Sequence, residues 1–77
     1  MKRLSELEYG ESGVVREIRA SQYELNRLGI RMKKRVKMIT RQPIKGPVVV
    51  VVDDMEVAMG LDTAEGVVIE TEGREGS

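Results

Sequence analysis

Histidine and cysteine do not occur in this chain, and their absence removes most of the chemistry a small protein can carry. No disulfide can supplement the core, which points away from a small secreted scaffold and towards a reducing compartment. Tight zinc sites, iron–sulfur ligation and Cys or His catalysis lack their groups. An enzyme would have to run on carboxylates, hydroxyls or lysines. Phe and Trp are absent as well, and Tyr9 and Tyr23 are the only aromatics, so the core must be aliphatic. Two tyrosines on separate elements do not line a groove for proline-rich peptides. The N-terminus MKRLSELEYGESG lacks the apolar stretch of a signal peptide, and no segment approaches the ~20 apolar residues of a membrane span. The reading is a cytosolic protein with no direct membrane insertion.

Seventy-seven residues leave room for one domain and one core, because a chain of this size buries only roughly 60% of the surface it exposes when unfolded. The formal net charge of zero hides a division. Up to Pro47 there are 12 Lys and Arg against 5 Asp and Glu, a surplus of seven positive charges; from Val48 onward there are one and eight, a surplus of seven negative charges. Such asymmetry can flag a nucleic-acid surface. In a compact sheet the simpler reading is that the halves meet and opposite charges on neighbouring strands offset one another.

Along the chain, Leu4 and Leu7 precede Gly10 and Gly13, which read as turn positions. The segment GVVREIRA then places Val14, Ile18 and Ala20 on one face of a strand, with Glu17 and Arg19 on the other. SQYELNRLGI predicts a helix of about two turns, opened by Ser21 and Glu24 at capping-box spacing and stopped by Gly29, with Ile30 folding back. A helix this short does not persist without packing, so Leu25 and Leu28 must face something apolar. RVKMITRQ alternates again, Val36 and Met38 inward and Lys37 and Arg41 outward. A loop fixed by Pro43 and Pro47 leads into five consecutive valines, Val48–Val52. This run is apolar on both faces, and its second face must be roofed by the helix leucines, by Leu4 and Leu7, or by another subunit in a homo-oligomer. Asp53-Asp54 turns the chain into MEVAMG, with Val57 and Met59 on one face. A single helical turn begun by Asp62 and a short strand VVIE close the domain. Residues 1–70 make one domain, and 71–77, lacking apolar residues, are expected to fray. The fold class is mainly β: a small SH3-like antiparallel barrel of five strands with one short helix between the first two.

Chemical signals are few. Asp53, Asp54 and Glu56 form a carboxylate cluster without the EF-hand pattern, and read as a turn between strands, not a metal site. The basic run Arg31 to Lys37 has no interleaved aromatic to stack bases and reads as solvated surface, with no nucleic acid as partner. Gly10-Glu11-Ser12-Gly13 lacks the Walker lysine and hydroxyl. No catalytic residue, cofactor or metal ligand is assigned.

The order of features across residues 4 to 70 resembles the FeoA family, small SH3-like accessory proteins of bacterial and archaeal ferrous-iron uptake. The resemblance rests on Leu4 and Leu7 with a first turn bounded by Gly10 and Gly13, the helix end LNRLGI, the strand and loop VKMITRQPIKGPVVV, and EVAMGLDTAEGVVI. One departure stands out: where the family has a Pro-Gly type turn after the Leu-Gly-hydrophobic step, this chain has Met32, Lys33 and Lys34, which suggests a looser turn. The resemblance implies a non-enzymatic cytosolic regulator that contacts FeoB, the membrane iron permease with a cytosolic GTPase part, without itself carrying iron. By position, Leu25, Leu28 and Gly29 on the helix, Lys33 and Lys34 after it, and Arg41, Pro43, Lys45 and Gly46 in the loop are the candidate contact residues, with Leu25 and Lys45 foremost. The same fold occurs as the C-terminal domain of metal-dependent repressors of the diphtheria-toxin-repressor type. No helix-turn-helix segment precedes it in this sequence, so a standalone protein is expected. A small nucleic-acid-binding barrel is the remaining alternative.

Overall fold

The computed structural model of the chain describes residues 1–41 and 46–74. A two-residue strand β1 (Lys2–Arg3) leads into a 3-10 turn (Leu4–Glu6), followed by β2 (Glu11–Ile18), helix α1 (Gln22–Arg27), β3 (Arg35–Arg41), β4 (Val48–Val52), β5 (Met55–Met59), helix α2 (Leu61–Glu65) and β6 (Val67–Arg74). All strand pairs are antiparallel, in the order β1-β6-β2-β3-β4-β5. Six strands replace the expected five, because the chain start adds β1 against β6.

The valine strand answers its own question by alternation. Val48, Val50 and Val52 are buried, together with Leu4, Leu7, Leu25, Ile30, Val36, Met38 and Ile69. The inner face is thus closed within one chain, by the 3-10 turn and the helix leucine. Val49 and Val51 on the outer face are half-buried. Their cross-strand neighbours are polar or small: Lys37 and Glu56 flank Val51, and Thr40 and Ala58 flank Val49. Long side chains such as Lys37 shield an outer apolar strip with their alkyl stems.

Bulges bend the sheet and shift the parity of two strands. In β2 the pairing moves from Val15 opposite Ile69 to Glu17 opposite Val68, leaving Arg16 as the extra residue. An extra residue reverses which face each later side chain takes. The buried apolar side chain before the bulge is Val15, in line with Glu11 and Gly13, while Val14 is half-buried, and Ile18 turns inward beyond the bulge. This corrects the uniform face expected for Val14, Ile18 and Ala20. The β2–β6 register also shifts between Ser12 and Gly13, and a bulge in β3 separates Met38 from Thr40.

Gly13 lies inside β2, not in a turn. A Cβ there would overlap the Glu70 carbonyl oxygen and the Ile69 Cγ2 methyl of β6. The glycine is needed for close approach of two backbones. Strand β6 likewise runs further than expected: Thr71, Gly73 and Arg74 pair with Gly13, Ser12 and Glu11. The fraying expected for 71–77 is thereby corrected for 71–74, because backbone pairing to β2 needs no apolar side chains; residues 75–77 lie outside the described residues. Helix α2 begins one residue before Asp62, with Gly60 at its N-cap and no side-chain cap.

The two charge surpluses meet across the sheet. Arg16 pairs with Glu70, Arg35 with Glu72 at 2.8 Å, and Lys34 with Asp53 at 2.7 Å. Each pair joins the basic first half to the acidic second half. Hydrogen bonding to Glu72, then its charge, holds the Arg35 guanidinium above its ordinary pKa, and Glu17 does the same for Arg19.

Candidate contact surface

Helix α1 is a short element fixed at both ends. Ser21 Oγ accepts from the Glu24 N–H at 3.3 Å, satisfying one orphan donor. The Glu24 carboxylate does not return a bond to Ser21, so only half of the expected capping box forms. At the other end Gly29 adopts φ 83°. Its N–H donates to the Asn26 carbonyl at 3.0 Å, and the Ile30 N–H donates to the Leu25 carbonyl at 2.9 Å. These are the two bonds of a Schellman stop, with glycine at the left-handed position.

The following turn keeps its shape without the expected residues. Lys34 N–H donates to the Arg31 carbonyl at 3.1 Å, with Lys33 at φ 72°. A positive φ at the third position of such a turn is where glycine is favoured, and here a lysine occupies it. The anticipated loosening does not occur, because β2 clamps the turn: Lys33 N–H donates to the Val15 carbonyl at 2.8 Å, and Val15 N–H donates to the Lys34 carbonyl at 2.9 Å.

The structure redistributes the expected contact residues. Leu25 is 0% exposed and belongs to the core; the expectation that it anchors a partner is corrected, since the helix turns this side chain inwards to cover the barrel. Leu28, one turn on, is half-buried and stands at the surface beside Arg27. Gly29 is the helix stop, with a Val52 methyl 3.9 Å from where its Cβ would be. Lys33 is exposed, whereas Lys34 is half-buried and paired with Asp53. Arg41 lies in β3 opposite Val48 and Gly46 is half-buried. The Arg41 side chain, Pro43 and Lys45 lie outside the described residues. Leu28, Gly29, Lys33 and Lys34 are thus gathered at the C-terminal end of α1.

Two exposed apolar side chains on and after α1 were not singled out from the sequence: Tyr23 near the start of the helix, 75% exposed, and Met32 in the turn that follows it, 46% exposed. Their only signal is apolar character at positions the helix and turn geometry leave outside. Beside α1 runs a groove of about 320 Å³ lined by Glu24, Arg27, Leu28, Ala58, Met59 and Gly60. It adjoins a second cavity of about 660 Å³ between Glu24 and the α2 residues Leu61, Asp62, Thr63 and Glu65.

Among the described residues no group of three or more His, Cys, Asp or Glu is placed to hold a metal ion. Asp53 and Asp54 form the β4–β5 turn at φ 51° and 63°, a two-residue hairpin of the kind that needs left-handed backbone at both positions. No described helix is long and apolar enough to cross a membrane.

The six-stranded antiparallel sheet with its short helices defines an SH3-like domain. The FeoA domain model matches residues 2–71, and the chain belongs to the FeoA family, non-enzymatic accessory proteins of ferrous iron transport. The FeoA protein of Chlorobium tepidum is 30% identical, with a TM-score of 0.81 over 99% of this chain and 75% of its own. The zinc-complexed FeoA of Stenotrophomonas maltophilia, an SH3 domain protein, is 28% identical, with a TM-score of 0.72 over 87% of each chain. A manganese-dependent transcriptional repressor shares the fold at a TM-score of 0.82 and 21% identity, this chain covering 41% of it. No curated protein matches the sequence.

Proposed function

We propose that the chain acts in the cytoplasm as a regulator of a FeoB-type membrane iron permease, by direct contact with its cytosolic GTPase part. The observation that carries this reading is the end of α1. There Leu28 and Met32 reach the surface, with Arg27, Arg31 and Lys33 next to them along the chain, three cations with no side-chain partner among the described residues. Central apolar groups ringed by charge are how stable yet steerable contacts are built: anchors set dissociation and rim charges speed encounter. The Schellman stop and the clamped turn hold this patch in one conformation, which lowers the ordering cost of binding. Family membership supports the iron-transport setting, and the Stenotrophomonas relative is itself put forward as a ferrous iron transport activating factor.

Calorimetry with the purified cytosolic part of the cognate permease tests it, with and without nucleotide. Binding is expected, and Leu28→Gln should weaken it more than tenfold with the circular dichroism spectrum unchanged. Absence of heat in every nucleotide state refutes the reading.

A further inference from the structure

The β5 strand ends the sheet, and its outer edge is open. Val52 and Met55 flank the two-residue Asp53-Asp54 turn, so they form a hydrogen-bonded pair. Alternation then makes Val50/Val57 and Val48/Met59 the bonded pairs, and directs the N–H and C=O groups of Glu56 and Ala58 away from β4. No described residue bonds them. Glu56, Ala58 and Gly60 are all exposed, and nothing lies within 4 Å of a Cβ added at Gly60. An edge with unpaired backbone groups is a template for another strand unless something covers or blunts it. No proline, bulge or lysine blunts this one.

The surroundings specify what kind of strand fits. The groove beside Ala58 offers Leu28 and Met59 as an apolar wall, and the adjoining cavity adds Leu61. The charges lining the two cavities are the carboxylates of Glu24, Asp62 and Glu65 and the guanidinium of Arg27, and Glu56 stands on β5 two residues before Ala58. None of these four carboxylates has a hydrogen bond or ion pair with a described side chain, whereas Glu11, Glu17, Asp53, Glu70 and Glu72 are all paired. Four carboxylates without a side-chain partner among the described residues therefore stand near the open edge of β5.

We propose that the open edge of β5 and the groove between it and α1 bind an extended peptide segment of alternating apolar and basic side chains. The segment adds as a seventh strand. Its backbone bonds to Glu56 and Ala58, an apolar side chain lies against Leu28 and Met59, and Lys or Arg side chains meet Glu24, Asp62 and Glu65. Main-chain bonds supply affinity and side-chain pockets supply selectivity in this mode of recognition. The proposal goes beyond the permease reading and does not depend on it: the segment can belong to any protein.

Fluorescence anisotropy with a labelled seven-residue peptide alternating lysine and valine provides the test, beside a peptide with glutamate for lysine and one N-methylated at alternate backbone nitrogens. The lysine peptide is expected to bind at least tenfold more tightly than either. Ala58→Pro removes an outward N–H that β4 does not use, at an edge where proline is tolerated, and should lower affinity at least tenfold. Glu24→Lys with Asp62→Lys should reverse the preference between the basic and acidic peptides. Amide shifts on binding should centre on Glu56 and Ala58. Equal binding of the methylated peptide, shifts centred on the Lys33 turn, or a dimer of the free protein broken by Ala58→Pro would each overturn the proposal, the last by assigning the edge to a second copy. Because no permease is present, peptide binding without permease binding rejects only the regulator reading, and the converse rejects only this one.

Discussion

Replacing Leu25 by glutamine separates packing from recognition at α1. Leu25 is wholly buried among the barrel residues, so replacing its isobutyl group by a polar one forgoes about 1.5–3 kcal/mol of apolar burial. The amide brought in finds no partner among aliphatic neighbours, which adds about 1–3 kcal/mol. A domain of this length holds roughly 4–12 kcal/mol in total, at about 0.05–0.15 kcal/mol per residue. Leu25→Gln should therefore remove a large share of the stability and leave a partly unfolded population at 37 °C. Leu28→Gln, from a half-buried position, should cost only about 1 kcal/mol, roughly half the value of full leucine burial. Urea titration followed by circular dichroism measures both. With a slope of about 1 kcal/mol/M, a loss of 3 kcal/mol moves the midpoint by about 3 M. If the Leu25→Gln midpoint stays within error of wild type, the side chain is not core and the assignment of Leu28 as the surface anchor falls with it.

Lys33→Gly should stabilise the protein by about 0.5–1 kcal/mol, since a left-handed residue with a Cβ costs roughly 1–2 kcal/mol and glycine returns part of that as unfolded-state entropy; a lower midpoint would show that φ 72° at this turn is not strained. Gly13→Ala should destabilise by about 1–3 kcal/mol because the methyl meets the β6 backbone, which cannot move aside without losing pairs; an unchanged melting temperature would refute the close approach. Ser21→Ala should cost about 0.5–1 kcal/mol, the low end for a cap whose bond is 3.3 Å long, and no change in the urea midpoint would remove the cap from the account of α1.

How far the sequence could be read follows from which physical signals are local. The valine run, the alternation of Val36 and Met38, and the Gly29 stop each depend on a few neighbouring residues, and each is found where the pattern puts it. The face of β2 was not legible, because the bulge at Arg16 is set by how β6 lies against the strand. Backbone pairing of Thr71 to Arg74 leaves no apolar trace for the same reason. At α1 the difficulty is angular. Leu25 and Leu28 are three residues apart and therefore only about 60° apart around the helix. Periodicity puts both on one side and cannot say which is inward. Only the position of the sheet decides that, and it decides for Leu25. The edge of β5 was hidden too, since strand order is not written in any single strand.

The Lys33-Lys34 pair carries the last distinction, between a charge that recognises and a charge that holds the fold. Lys34 reaches Asp53 of the β4–β5 turn, with 38% and 60% of the two side chains exposed; the Lys33 side chain has no partner among the described residues. An exposed ion pair contributes about 0.2–1 kcal/mol. Lys34→Glu should therefore lower stability by that amount or slightly more, as two carboxylates then face each other, and Asp53→Lys in the same chain should restore it. Lys33→Glu should leave stability unchanged but slow association with the permease domain, with the slowing reduced at high salt as screening shortens the reach of the field. The double-mutant cycle assigns the roles. If Lys34→Glu with Asp53→Lys recovers both stability and association rate, Lys34 acts only through the turn and Lys33 is the recognising charge; if stability returns while association stays slow, both lysines meet the partner. Should Lys33→Glu bind at the wild-type rate at low salt, the basic rim plays no part in the encounter, and the apolar side chains at the end of α1 must account for it alone.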